Sequence, residues 1–213
     1  MKRVEKQRAR SRQDKAARRN LILNTAEKLY LEDPSGLPSI GQIAQESGLA
    51  RGTFYLYFKT KESIFLEILQ RKYEIWFNFV SPTIKEKSKI NNFEELFQVL
   101  FAPIVQDKIF LNLGCITQTI IEENISEDRM LQFKNFLGKN LLNLSTALAK
   151  ALDKSTKETL TNLLHTYSAI MGLWQTCKIS KNFETIKDKV EYQFMFQSFD
   201  KEVKQYISKF WII

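Results

Sequence analysis

The chain reads as all-α: a small amino-terminal head of three helices followed by a larger helical unit. Three observations point there. Gly and Pro are scarce, seven and four in 213 residues, so few positions interrupt a helix. Apolar residues recur at spacings of three and four, and no stretch alternates with period two for long. Residues 39–65, SIGQIAQESGLARGTFYLYFKTKESIF, carry the punctuation of two short helices crossing at a tight turn, with a third following at once.

Residues 1–19 hold nine Lys or Arg against Glu5 and Asp14, a net of +7, while the whole chain carries +8. With almost nothing apolar to bury, this segment is expected to be a disordered basic arm. A structural helix starts near residue 20, and Pro34 and Pro38 frame the loop after it. Ser39 and Gln42 have the S-x-x-Q spacing of a capping box, in which each side chain satisfies an orphan backbone donor of the other. Ile40, Ile43 and Ala44 share one face of the helix that follows. Gly48 stops it, because a left-handed residue there costs no steric strain. A turn of about 3–4 residues then leads into a second helix, as a helix-turn-helix requires.

Leu49 and Phe54 plug the angle between those helices, which leaves Arg51, Gly52, Thr53, Tyr55 and Tyr57 on the outer side. A cation, a bare backbone, a hydroxyl and two phenols suit a surface entering a nucleic-acid groove, where Arg can pair with guanine and hydroxyls with phosphates. Thr60 caps the next helix, which opens at Lys61 and turns Ile64, Phe65, Ile68, Leu69 and Trp76 inward.

Any three-helix core could share the Ala and Gly offsets, but the run Gly52-Thr53-Phe54-Tyr55, with Tyr57-Phe58-Lys59 and Lys61-Glu62 behind it, is more specific. Over roughly residues 20–70 the chain resembles the TetR family of bacterial transcriptional regulators, whose signature reads much like IAQESGLARGTFYLYFKTKESIF. The resemblance implies a helix-turn-helix DNA-binding domain at 20–66 and a helical effector-binding and dimerisation domain at 67–213. It implies that the second helix of the motif lies in the major groove, with Arg51, Gly52, Thr53, Tyr55 and Tyr57 as its contacts. Lys59 and Lys61 resemble phosphate contacts, and Ser39 the cap residue that holds a backbone phosphate. Two positions depart from the family pattern. Ala50 stands where Ser or Thr is usual, so the recognition helix lacks its side-chain cap, generally worth about 0.5–2 kcal/mol. Leu56 replaces a polar or larger aromatic residue; it either touches a thymine methyl or faces solvent.

Beyond the head, apolar periodicity and breakers place helices at 62–80, 91–106, 108–123, 127–152, 155–179 and 184–211. Pro82 is expected to end one helix and Pro103 to kink or break the next. The last helix carries Tyr192, Met195, Phe199, Val203, Tyr206 and Phe210 as a continuous apolar seam, with Phe194, Phe196, Ile207 and Trp211 off it. A helix this apolar around its girth needs a partner as well as its own subunit. The family resemblance implies a homodimer through the last two helices, whose recognition helices would sit about 34–36 Å apart on a pseudo-palindromic operator.

The middle helices are rich in Phe. Phe101, Phe110, Thr117, Phe133, Phe136, His165, Tyr167, Met171 and Trp174 are candidates to line a cavity for a small hydrophobic effector, although an aromatic stripe at helical spacing is more often plain core. The effector pocket is implied by the resemblance, not by composition. His165, the one histidine, reads either as a hydrogen-bonded core residue or as a ligand contact.

Several classes are disfavoured by what the sequence holds. There is no Gly-rich phosphate loop, metal-ligand cluster or nucleophile beside a base, so no enzyme and no cofactor is expected. Cys115 and Cys177 are far apart, with no zinc or disulfide spacing, which fits a reducing cytoplasm. The longest uncharged run, Thr159–Cys177, is broken by polar residues and reads as a buried helix rather than a membrane span. The sequence therefore predicts a cytoplasmic, sequence-specific DNA-binding regulator, most simply a dimeric repressor that a hydrophobic ligand releases from its operator. The competing readings are a small-molecule carrier or enzyme with a basic tail, or a membrane-surface protein that sets the basic arm on anionic lipid; the arm that fits the leading reading is one that follows DNA phosphates or enters an adjacent minor groove.

Overall fold

A computed structural model describes residues 2–87, 89–178, Lys189 and 197–211, with the backbone alone for 2–12. Every regular element among them is helical. The chain forms two compact units, Met1–Arg71 with Ile116–Leu131, and Lys72–Cys115 with Gln132–Ile213. The first unit thus recruits a stretch from mid-chain that the linear division at residue 66 assigns to the second.

In the first unit, helix α1 runs unbroken over Lys2–Glu32. This corrects the expected disordered arm. Residues 2–32 contain neither Gly nor Pro, and Lys, Arg, Gln, Glu and Ala rank high in helix propensity, so the apolar anchor at the carboxy-terminal end propagates back through the basic stretch. The anchor is Ile22, Leu23, Ala26 and Tyr30, all buried. Helix α2 spans Ile40–Ser47 and begins with the expected capping box: Gln42 N–H donates to Ser39 Oγ, and Ser39 N–H to Gln42 Oε1. It ends at Gly48, whose φ of 66° is the left-handed conformation the turn needs. Helix α3 is only Arg51–Phe54, with no side-chain cap at Ala50. This second helix of the motif is one helical turn continued by tight turns as far as Phe58, closed by Tyr57 N–H and Phe58 N–H on the Phe54 carbonyl, both at 2.8 Å. Gly52, β-branched Thr53 and the following aromatics are weak helix formers, which accounts for the early end. Thr60 and Ser63 cap α4, Lys61–Glu86, through reciprocal side-chain to backbone bonds.

Helix α4 does not end at Pro82, which lies inside it. The missing N–H would have bonded the Asn78 carbonyl; Asn78 and Pro82 are both exposed, so water can take that carbonyl at modest cost. In the second unit, Asn92 caps α5, Phe93–Leu96, and a π turn at Phe97–Phe101 leads into α6, Ala102–Val105. The wide turn absorbs Pro103: Ala102 N–H reaches back to the Phe97 carbonyl, and the proline sits in the first turn of α6, where its N–H is not required. Helix α7, Lys108–Ile116, starts with Asp107 accepting from Ile109 and Phe110 N–H at 3.0 Å each. A second π turn, Thr117–Ile121, and a 3-10 turn, Glu122–Asn124, follow. Helices α8, Glu127–Leu152, α9, Thr156–Cys177, and α10, Phe199–Phe210, complete the described chain.

The core of the second unit is aromatic. Tyr73 stands edge-on to Phe110 at 4.8 Å and near Phe133 at 6.2 Å. Trp76 Nε1–H donates to the Leu100 carbonyl and Trp211 Nε1–H to Thr166 Oγ1, each at 2.8 Å and buried. On α10 the face turned into the chain is Val203, Ile207 and Trp211. The expected seam residue Tyr206 is exposed, and Phe199 and Phe210 are half-buried. The inward face is therefore set by two residues placed off the seam. Tyr192, Phe194, Met195 and Phe196 lie outside the described residues. Among the described residues no single helix is long and apolar enough to cross a membrane.

Candidate nucleic-acid interface

Phe54 and Phe58 are buried, and because they lie four residues apart they anchor the α3 segment by one side. The opposite side is open. Arg51, Gly52, Tyr55, Leu56 and Lys59 are exposed, and Thr53, Tyr57 and Lys61 are half-buried. Leu56, at 81% exposure, protrudes further than any other large apolar side chain among the described residues, and Tyr55 beside it is 62% exposed. Ser39 is exposed at the start of α2. All eight residues singled out from the sequence thus belong to the first unit, in the stretch from the α2 cap to the α4 start.

Two residues outside that set shape it. Arg51 folds back over α2: a Cβ built on Gly41 would lie 2.5 Å from Arg51 Nη2 and 3.2 Å from its Cζ. The bare backbone at Gly41 is thus the floor on which the guanidinium rests. Arg19, counted in the sequence as part of the basic arm, is not a free cation. It grips Glu67 with both Nε and Nη2, donates from Nη1 to the Tyr57 carbonyl at 3.4 Å, and covers the Phe58 ring at 4.5 Å. One side chain so ties α1 to the turn after α3 and to α4. The signal for Arg19 was in the sequence: it lies on the face of Ile22, Leu23, Ala26 and Tyr30. The signal for Gly41 was a glycine in the first turn of a helix, where better helix formers are usual. Lys28 on α1 binds Glu46 on α2 at 2.6 Å, and that hydrogen bond holds the Lys28 ammonium above its ordinary pKa.

The candidate effector residues sit in differing surroundings. Phe101, Phe110, Phe133 and Met171 are buried. Phe101 packs on Trp211, and Phe136, which is half-buried, packs on Phe77. Tyr167 packs edge-on to Phe110 and hydrogen-bonds Tyr73. Trp174 donates to Asn112 Oδ1 at 3.0 Å and meets Phe199. Thr117 is buried in the other unit. His165 is exposed, against the core reading, because the buried stripe of α9 is Thr159, Leu163, Thr166 and Ile170 and position 165 falls off it. The second unit does hold a groove of about 460 Å³, lined by Lys72, Ile75, Trp76, Phe79, Pro103, Ile104, Asp107 and Phe110. Only Phe110 is shared with the expected set. Lys72 and Asp107 form an ion pair there at 3.1 Å. Among the described residues no group of His, Cys, Asp and Glu could hold a metal ion.

Residues 22–68 match the family described as bacterial regulatory proteins of the tetR family, and residues 70–212 match the tetracyclin repressor-like carboxy-terminal domain. The chain belongs to the TetR family of bacterial regulatory proteins. It is similar to the fatty acid metabolism regulator protein of Bacillus subtilis (strain 168), 30% identical over 58% of this chain and 61% of that protein. It is 30% identical to the uncharacterized HTH-type transcriptional regulator YuxN of the same organism over 44% of this chain and 32% of YuxN. Over 24% of this chain and 23% of its own, the HTH-type transcriptional regulator EthR of Mycobacterium tuberculosis (strain ATCC 25618 / H37Rv) is 42% identical. The chain spans 32% of the length of YuxN and 61% of that of the fatty acid metabolism regulator protein.

Proposed function

We infer that the protein is a transcriptional regulator that reads a pseudo-palindromic DNA operator as a homodimer and is released from it by a small hydrophobic ligand. The carrying observation is the polarity of the α3 segment: Phe54 and Phe58 are clamped inside while Arg51, Tyr55, Leu56 and Lys59 stand open. In this reading α3 enters the major groove, Lys59, Lys61 and Ser39 meet backbone phosphates, and the basic part of α1 ahead of Arg19 adds phosphate contacts. Dimerisation uses the outer faces of α9 and α10, where Leu164 and Tyr206 remain exposed. The groove beside Lys72 and Asp107 is the effector site favoured by its volume and apolar walls. An effector that binds the non-fitting state more tightly weakens operator affinity by an allosteric coupling of about 1–3 kcal/mol, and operator weakens effector by the same factor. Selection of bound duplexes from a random pool tests the first half. A recovered palindrome, with light scattering that reports a dimer, supports the reading, and retention independent of sequence overturns it.

A further inference from the structure

We propose that Gly41 is a positioning residue that sets the aim of Arg51, and through it the protein's choice of DNA sequence; the second clause rests on the function inferred above. Gly41 lies inside α2, and its φ is not in the left-handed region, since Gly48 is the one glycine among the described residues with positive φ. No backbone conformation calls for glycine there, and glycine in a helix is less stable than alanine. What the position does require is space. A Cβ would stand 2.5 Å from Arg51 Nη2, closer than real Cβ atoms come, and a tight 3.2 Å from Cζ, so the end of the guanidinium would have to move. Among the described residues no hydrogen bond or ion pair holds the Arg51 head, which leaves its packing on the bare Gly41 backbone to set its direction. Arg51 is also the first residue of α3, so a displaced guanidinium carries its five donors to a different place relative to the exposed Tyr55 and Leu56. The reach of an arginine to a guanine edge is bidentate and tolerates little such movement.

The test is Gly41→Ala, beside Arg51→Ala and the double variant, in the full chain. In the free protein, the Arg51 Nε–Hε resonance is compared between wild type and Gly41→Ala by NMR; a clear shift with an otherwise unchanged spectrum is expected. Thermal melting should be unchanged or raised, because the new methyl displaces only the end of a flexible side chain. The ratio of affinity for the selected operator to that for random duplex should fall about 5- to 150-fold, the span one good side-chain to base pair gives. The double variant should lose no more than Arg51→Ala alone. A superimposable resonance, an unchanged ratio, or losses that add in the double variant each overturn the proposal. If wild-type protein itself shows no preference among duplexes, the DNA reading fails, while the resonance comparison still decides whether Gly41 holds Arg51.

Discussion

Arg19 and Glu67 face each other across the first unit as a two-pronged ion pair, with side chains 38% and 15% exposed. The same guanidinium roofs Phe58, so the pair joins the middle of α1 to the segment that carries Tyr57 and Lys59. Replacement of Arg19 by Ala should destabilise the protein by about 1.5–3 kcal/mol, the range for hydrogen bonds to charged groups. Arg71, 3.8 Å from Glu67, softens the loss toward the lower end. Urea denaturation is the measurement, and Arg19→Lys should recover only part, because a single ammonium cannot reproduce the fork.

Because Arg19 is structural, the contribution of the basic segment has to be probed without it. A chain that begins at residue 19 should fold as wild type and show a shallower salt dependence of DNA binding, by about 0.9 in the log–log slope for each phosphate contact removed. An unaltered slope from titrations at several salt concentrations would show that residues 1–18 touch no phosphate.

Helix α3 begins at Ala50 without a side-chain acceptor for its first N–H groups. Ala50→Ser supplies one. Stability should rise by about 0.5–1 kcal/mol, at the low end of the capping range because the helix is a single turn.

Leu56 is the reverse case. Its exposure leaves little packing to lose, so Leu56→Ala should move stability by less than about 0.5 kcal/mol. Its position beside Tyr55 on the open face means that operator affinity should drop nonetheless. Parallel melting and mobility-shift measurements separate the two effects, and loss of stability with unchanged affinity would place Leu56 in the fold instead of the interface.

Tyr73 gives the protein an alkaline limit. Burial first, and the neighbouring Tyr167 second, push its phenol well above the ordinary value of 10.0. The folded state then disfavours phenolate relative to the unfolded chain. The stabilisation is fully present below pH 10 and is lost as pH rises from there toward the folded-state pKa. Unfolding free energy measured against pH should decline over that alkaline window, and Tyr73→Phe should flatten the decline.

Short-range chemistry was legible in the sequence. The Ser39–Gln42 box, the left-handed Gly48 and the Thr60 cap each depend on residues within one turn of one another. What failed depended on surroundings. The basic stretch lacks a core to join, yet it inherits helix from the buried Ile22–Tyr30 end. Pro82 looks like a terminator until the exposure of Asn78 is known. On α10 apolar residues occur on more than one side, so periodicity could not choose Val203, Ile207 and Trp211 over Phe199, Tyr206 and Phe210. The groove at Lys72 and Asp107 is assembled from α4, α6 and the start of α7, and no local pattern announces it. His165 drew notice as a unique residue type, and uniqueness says nothing about which way a helix faces.

The unbroken course of α1 also sets a ruler. From Lys2 to Arg19 a helix advances about 26 Å at 1.5 Å per residue, whereas the same segment stretched out reaches about 60 Å. Along duplex at 3.4 Å per step the first figure is roughly eight base pairs. If this segment lies on DNA as proposed, a helix of that size would give a compact nuclease-protected footprint with sharp edges, and unwinding it would blur and lengthen the footprint.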